Sequence, residues 1–128
     1  MAASLLAVVV DCREPRPQAD FWSRVLSCGV VERNPEEFLV GDPAGEATPL
    51  YLMRVPEPKV GKNRLHLDLV TEGLLDDEVT RLQGLGARLV EVRQDPGTMT
   101  NPDTWAVLED PEGHVFCVSS TATISGWG

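Results

Sequence analysis

Basic residues are scarce in this chain: 11 Lys and Arg stand against 20 Asp and Glu over 128 residues, a formal net charge of -9. Nucleic-acid binding needs a cationic surplus to neutralise phosphates, and no basic residues cluster here, so that class is set aside. Anionic membrane surfaces are disfavoured on the same ground. Long apolar runs are also missing. The longest, near "SLLAVVV", falls far short of a membrane span, and Met1 is followed by no basic start or cleavage pattern of a signal peptide. A cytoplasmic protein is expected. Cysteine is sparse: Cys12, Cys28 and Cys117 form an odd set without a CxxC, which excludes a disulfide framework and implies free, mostly buried thiols. Histidine occurs only as His66 and His114.

What is present suits one compact domain with a hydrophobic core and no room for a second. The 10 prolines and 11 glycines are spread between apolar runs, as in many short elements joined by tight turns. "SLLAVVVDC" reads as a first strand. "PQADFWSRVLSCG" reads as a helix, with Phe21, Trp22, Val25 and Leu26 at helical spacing, Pro17 in the first turn and Gly29 at the stop. "VVERN", "EFLVGD" and "TPLYLMRV" then read as strands. After the linker-like "PEPKVGKN" the order repeats. "RLHLDLVT" is a strand, and "EGLLDDEVTRLQGLG" is a helix with Leu74, Leu75, Val79 and Leu82 on one stripe and Gly84 or Gly86 at its end. "ARLVEVRQ", "DTWAVLED" and "HVFCVSS" are three more strands. The pattern is βαβββ twice, at a period near 60 residues, with modules at about residues 5–55 and 64–120.

"RLHLDLV" alternates by residue, so Leu65, Leu67 and Leu69 share one face and Arg64, His66 and Asp68 the other. The leucine face is expected to be core. In "EDPEGH", Asp110, Pro111 and Gly113 occupy the positions that each favours in a type I turn.

The doubled βαβββ order, "DFW" in the first helix, "HLDL" opening the second module and "DPEGHVF" before the last strand together resemble the vicinal oxygen chelate superfamily. That group contains glyoxalase I, bleomycin resistance proteins and extradiol dioxygenases, and the likeness to its small bacterial glyoxalase-like members spans roughly residues 5 to 119. The resemblance implies an α+β fold in which both modules form one cup-shaped mixed sheet, with helices outside and a ligand inside. The polar face of "RLHLDLV" would then look into the cavity. Metal-dependent members take one ligand from the first and last strand of each module. Carried onto this sequence, those positions fall at Ala7, near Leu52, at His66 and at Cys117. Two of the four are apolar, so a divalent metal is disfavoured, and Asp68, two residues from His66 on one strand, is not expected to converge with it on one ion.

His66 is the candidate catalytic residue, as a general base or ligand anchor; alternatively it is a cavity histidine satisfied by Arg64, Asp68 or water. Cys117 is either a nucleophile paired with His66 or a small core residue. Trp105 either stacks on a flat ligand or packs under a helix. Arg54 shares parity with Leu50 and Leu52, and would pair with an anionic ligand at the rim or with a surface carboxylate. Phe21 and Trp22 are read as core, His114 as surface, the acidic pairs "PEE", "DD" and "EDPE" as solvated, and Trp127 as part of a mobile tail.

Two functional readings follow. One is a small-molecule binding protein in the manner of bleomycin resistance proteins. The other is a glyoxalase-like enzyme acting through His66, with or without a metal, on a small carbonyl or hydroxylated substrate. Family habit implies a homodimer.

Overall fold

The computed structural model describes residues 1–42, 44–95 and 103–121; the tail that holds Trp127 lies outside them. The elements run β1 (Val8–Cys12), α1 (Pro15–Leu26), β2 (Val30–Asn34), β3 (Glu37–Val40) and β4 (Leu50–Arg54), then β5 (Leu67–Thr71), α2 (Leu75–Leu85), β6 (Arg88–Asp95), β7 (Asp103–Glu109) and β8 (Val115–Ser120). The βαβββ order thus occurs twice. The fold is α+β, and the chain divides into two compact units, Met1–Val60 and Gly61–Gly128. Each holds one mixed four-stranded sheet, ordered β1-β4-β3-β2 in the first and β5-β8-β7-β6 in the second. In both, the first and last strands of the unit are parallel neighbours and the other pairings are antiparallel. A parallel pair requires a crossover, and the helix after the first strand supplies it.

In the first unit, the register aligns Val10 with Leu52 and Leu52 with Phe38, so these side chains share one face. That face is the helix side: the Arg16 guanidinium of α1 lies 5.1 Å from the centre of the Phe38 ring. Phe38, Val40, Leu50 and Leu52 are buried with Ala19, Phe21, Trp22 and Val25 of α1. Phe21 and Trp22 meet edge to face at a 5.2 Å ring separation, as core residues. The helix ends earlier than the glycine pattern indicated. Ser27, at φ 52° and ψ 50°, is the left-handed cap, and the Cys28 N–H donates to the Ser23 carbonyl. Gly29 lies beyond that cap, where its carbonyl accepts from the Gly41 N–H.

In the second unit, Phe116, Val118, Ala106 and Leu108 are buried on one face of the sheet, facing Leu75, Val79 and Leu82 of α2. Truncating a fully buried leucine such as Leu108 to Ala would cost about 2–5 kcal/mol. Gly86, at φ 117°, closes α2, a conformation that a side chain would strain. Leu74 does not join the α2 stripe: it precedes the first helical residue and is exposed.

The strand expected from Arg64 starts only at Leu67. Leu65 is 86% exposed and belongs to no core face, while Leu67 and Leu69 are half-buried on the α2 side of β5. The reason is a side chain acting in place of a ladder. Asn63 accepts from the Val115 N–H at 3.1 Å through Oδ1, and its Nδ2 donates to the Val115 and Leu65 carbonyls. Both backbone groups of Val115 are thus engaged by one amide, so residues 64–66 approach β5 without pairing as strand.

Candidate functional site

The functional side chains gather on the face of the second sheet opposite α2. Register pairs Asp68 with Cys117, Cys117 with Val107, and Arg93 with Trp105, and alternation puts all of them on that face. His66 arrives from the segment held by Asn63. Its Nε2 lies 3.3 Å from Asp68 Oδ1, with the side chains 50% and 78% exposed. One ligand atom each from His66, Asp68 and Cys117 falls within 4.8 Å of the others. The imidazole therefore does converge with Asp68. Alternation on one strand argued against this, but His66 lies before the strand begins, where its backbone is not bound to the pleat.

Cys117 is buried, and desolvation pushes its thiol pKa up; the Asp68 carboxylate adds to the rise, while the Arg93 guanidinium opposes it. A nucleophilic cysteine needs the reverse balance. Arg93, absent from the sequence reading, stands 5.9 Å from the Trp105 ring centre and 3.5 Å from a Glu91 carboxylate oxygen. Trp105 is half-buried. The signal that could have found Arg93 is its place in "EVRQ", two residues beyond Glu91 on an alternating strand that pairs with the Trp105 strand.

Arg64 is exposed in the segment before β5. Arg54 belongs to the first unit, where it shares the side of Leu50 and Leu52; that side is covered by α1, and Tyr51 and Met53 lie on the other.

His114 and Asp110 depart from their sequence reading. Asp110 is fully buried at its side chain and His114 is 19% exposed, with Nδ1 2.8 Å from Asp110 Oδ2. Asp110 Oδ1 also accepts the N–H groups of Glu112 and His114 at 2.9 and 3.0 Å. The carboxylate organises the β7–β8 turn from within, so it is not a solvated charge. The cysteines form no disulfide among the described residues: Cys12 and Cys117 are buried and Cys28 is half-buried, and the Cys12 thiol donates to the Met53 carbonyl at 3.6 Å.

With this geometry in hand, the comparisons give the family. The model of the glyoxalase-like domain matches residues 7–119, and the chain belongs to that family, within the vicinal oxygen chelate superfamily. Similar solved structures include a glyoxalase/bleomycin resistance protein/dioxygenase family enzyme from Burkholderia phytofirmans PsJN, 19% identical, covering 92% of this chain and 98% of that one at a TM-score of 0.74. The fosfomycin resistance protein FosX from Listeria monocytogenes is 15% identical, with 94% of each chain covered and a TM-score of 0.69. Lactoylglutathione lyase from Agrobacterium tumefaciens is 15% identical, with 98% of each chain covered and a TM-score of 0.66. At these identities the likeness is one of fold. No curated protein sequence matches the chain.

The superfamily implies a divalent metal in its metal-dependent members. Among the four positions carried over, Ala7 and Leu52 offer no donor atom, and Leu52 is buried on the α1 side of its sheet. The second unit fits better: imidazole, carboxylate and thiol converge there without help from the first. No helix among the described residues is long and apolar enough to cross a membrane.

Proposed function

We propose that this glyoxalase-like protein binds a small molecule on the face of its second sheet away from α2, without the four-strand metal site of its metal-dependent relatives. The observation that carries this reading is the alignment of Asp68 with Cys117, with His66 in reach of both. The apolar side chains of that sheet pack on its α2 side, and the polar and reactive ones are concentrated on the other, as in a ligand site. Trp105 supplies a flat stacking surface, Arg93 a partner for an anionic group, and His66 and Asp68 hydrogen bonds that fix orientation. Arg64 borders the group on the approach to β5. Arg54, on the α1 side of the first sheet, takes no part.

The second reading is an enzyme of this family, acting on a small carbonyl or hydroxylated substrate. It is favoured by the His66–Asp68 contact, which can set the tautomer and leave the imidazole to accept a proton. A divalent metal, where bound, would be held by His66, Asp68 and Cys117 and would polarise a substrate oxygen. Both readings take the two modules as one domain and the protein as a cytoplasmic homodimer, the dimer in keeping with family habit.

A thermal-shift screen tests the main reading, because a ligand of the native state raises apparent stability by mass action. The probes are fosfomycin, bleomycin and lactoylglutathione, each with and without divalent metal. The expected result is a concentration-dependent upward shift with at least one probe that Arg93→Ala and Trp105→Ala reduce. A shift that survives both substitutions, together with His66→Ala, would move the site elsewhere.

A further inference from the structure

We infer that the face carrying Asp68, Cys117 and Trp105 selects an amphoteric ligand. Its anionic group pairs with Arg93 at one end, its ammonium group with Asp68 at the other, and a flat body lies between them over Trp105. This deepens the binding reading above and rests on it. The face thereby requires two ligand charges of opposite sign at a set span.

The sheet itself separates the two protein charges. Asp68 lies on β5 at one edge and Arg93 on β6 at the other, with β8 and β7 between them. The floor consists of Cys117 and Val107 in the row of Asp68, and of Ser119 and Trp105 in the row of Arg93. Arg93 folds inward, its guanidinium 5.9 Å from the Trp105 ring centre, so its charge stands over β7 and not at the outer edge. Two strand spacings across and two residues along set the Asp68 and Trp105 backbones about 12 Å apart. Side chains reaching in from both ends shorten that to the span of a para-substituted ring. An α-amino acid, with its two charges on neighbouring atoms, is too short to meet both.

Electrostatics favours the same assignment. On this face Arg88 and Glu109 meet at 2.6 Å and neutralise each other, while Glu91 stands 3.5 Å from the Arg93 Nε, beyond ordinary hydrogen-bond length. The guanidinium carries a fork of N–H donors, so an incoming carboxylate binds beside Glu91. At the other end, His66 engages one Asp68 oxygen at 3.3 Å, and a carboxylate with about four acceptor sites takes an ammonium as well. Both charges reach the same part of the floor: after the leading effect of burial, Asp68 raises and Arg93 lowers the pKa of the Cys117 thiol. A dianion would gain at Arg93 and lose at Asp68, and a chain of net charge -9 repels it at long range. A ligand without net charge escapes both penalties.

The test is isothermal titration of the full chain at low ionic strength with probes that share one ring: para-aminomethylbenzoate, para-toluate, benzylamine and terephthalate. The amphoteric probe, para-aminomethylbenzoate, should bind at least about fivefold tighter than each of the others. Asp68→Asn should erase its advantage over para-toluate and leave para-toluate affinity unchanged; Arg93→Gln should erase its advantage over benzylamine. Asp68→Lys should reverse the order and make terephthalate the tightest. Far-ultraviolet circular dichroism checks that each variant keeps its fold. Terephthalate or para-toluate binding the wild type as tightly as the amphoteric probe would overturn the inference, as would an advantage that survives Asp68→Asn or an amphoteric probe that does not bind. If all the probes bind alike and Trp105→Ala abolishes their binding, the charge assignment alone has failed and the binding reading stands. Probes that keep their affinity in both Trp105→Ala and Arg93→Gln would take the binding reading down as well.

Discussion

The second unit holds two histidine–aspartate pairs that share a chemistry and differ in everything around it. In the β7–β8 turn, Asp110 is sealed from solvent and its carboxylate is consumed by two backbone N–H groups and the His114 ring. Beside β5, His66 and Asp68 sit half or more exposed, with a longer contact and with the Cys117 thiol as neighbour. A buried carboxylate must have its oxygens satisfied, and once satisfied it has nothing to offer a ligand. An exposed one is satisfied by water, which a ligand can displace. The first pair should therefore matter to stability and the second to binding.

Asp110→Ala probes the sealed pair hardest. It would orphan the N–H groups of Glu112 and His114 and remove a buried charge-assisted bond, a loss of about 3 kcal/mol or more in urea denaturation. A loss within half a kcal/mol would erase the distinction between the pairs. Asp110→Asn, which keeps an acceptor oxygen, should recover about half of that loss.

Asn63→Ala tests what delivers the open pair. Losing the amide bridge to Val115 should cost about 1–2 kcal/mol and speed hydrogen exchange at the Val115 N–H. Unchanged exchange would mean that another group holds this segment.

The Glu78–Arg81 pair on α2 gives the scale for an ordinary surface contact, about 0.3–0.5 kcal/mol. Its hydrogen bond from Arg81 holds the Glu78 carboxyl below the usual glutamate range, against a smaller opposing effect of desolvation. The contribution is thus present above the ordinary glutamate pKa and fades as pH falls through the depressed value. The stability gap between wild type and Glu78→Gln should close over that acidic window.

Asp68→Ala should be the mildest, within about 0.5 kcal/mol of wild type. Its signature lies in reactivity. Burial is the main reason that the Cys117 thiol is raised, and Asp68 is the second, so removing this carboxylate should speed iodoacetamide alkylation in a Cys12→Ser/Cys28→Ser background. Arg93→Ala should slow it. Equal rates in the three proteins would separate Cys117 from both charges.

The duplicated element order was legible because apolar periodicity and turn residues are local signals, and all eight strands and both helices fall on the segments so marked. The face of Asp68 followed from alternation; Cys117 was placed beside it by the family resemblance, and the choice between the two faces for Trp105 needed the register of β7 with β8. What escaped notice was set at a distance. The Asn63 bridge to Val115 cut short the strand that "RLHLDLV" promised, and no pattern within those seven residues encodes it. Arg93 gains meaning only from a register partner on another strand. Asp110 and His114 were misread because turn carboxylates are commonly solvated, and only packing reveals one that is not.

The parallel pairing of β5 with β8 joins the two ends of their unit. Asp68 and Cys117 meet across a loop of about fifty residues, so the entropic cost of closing that loop precedes any contact between them. A molecule or ion that grips both strands would act as a staple on a long-range closure, and its presence should be felt most in how slowly the sheet comes apart.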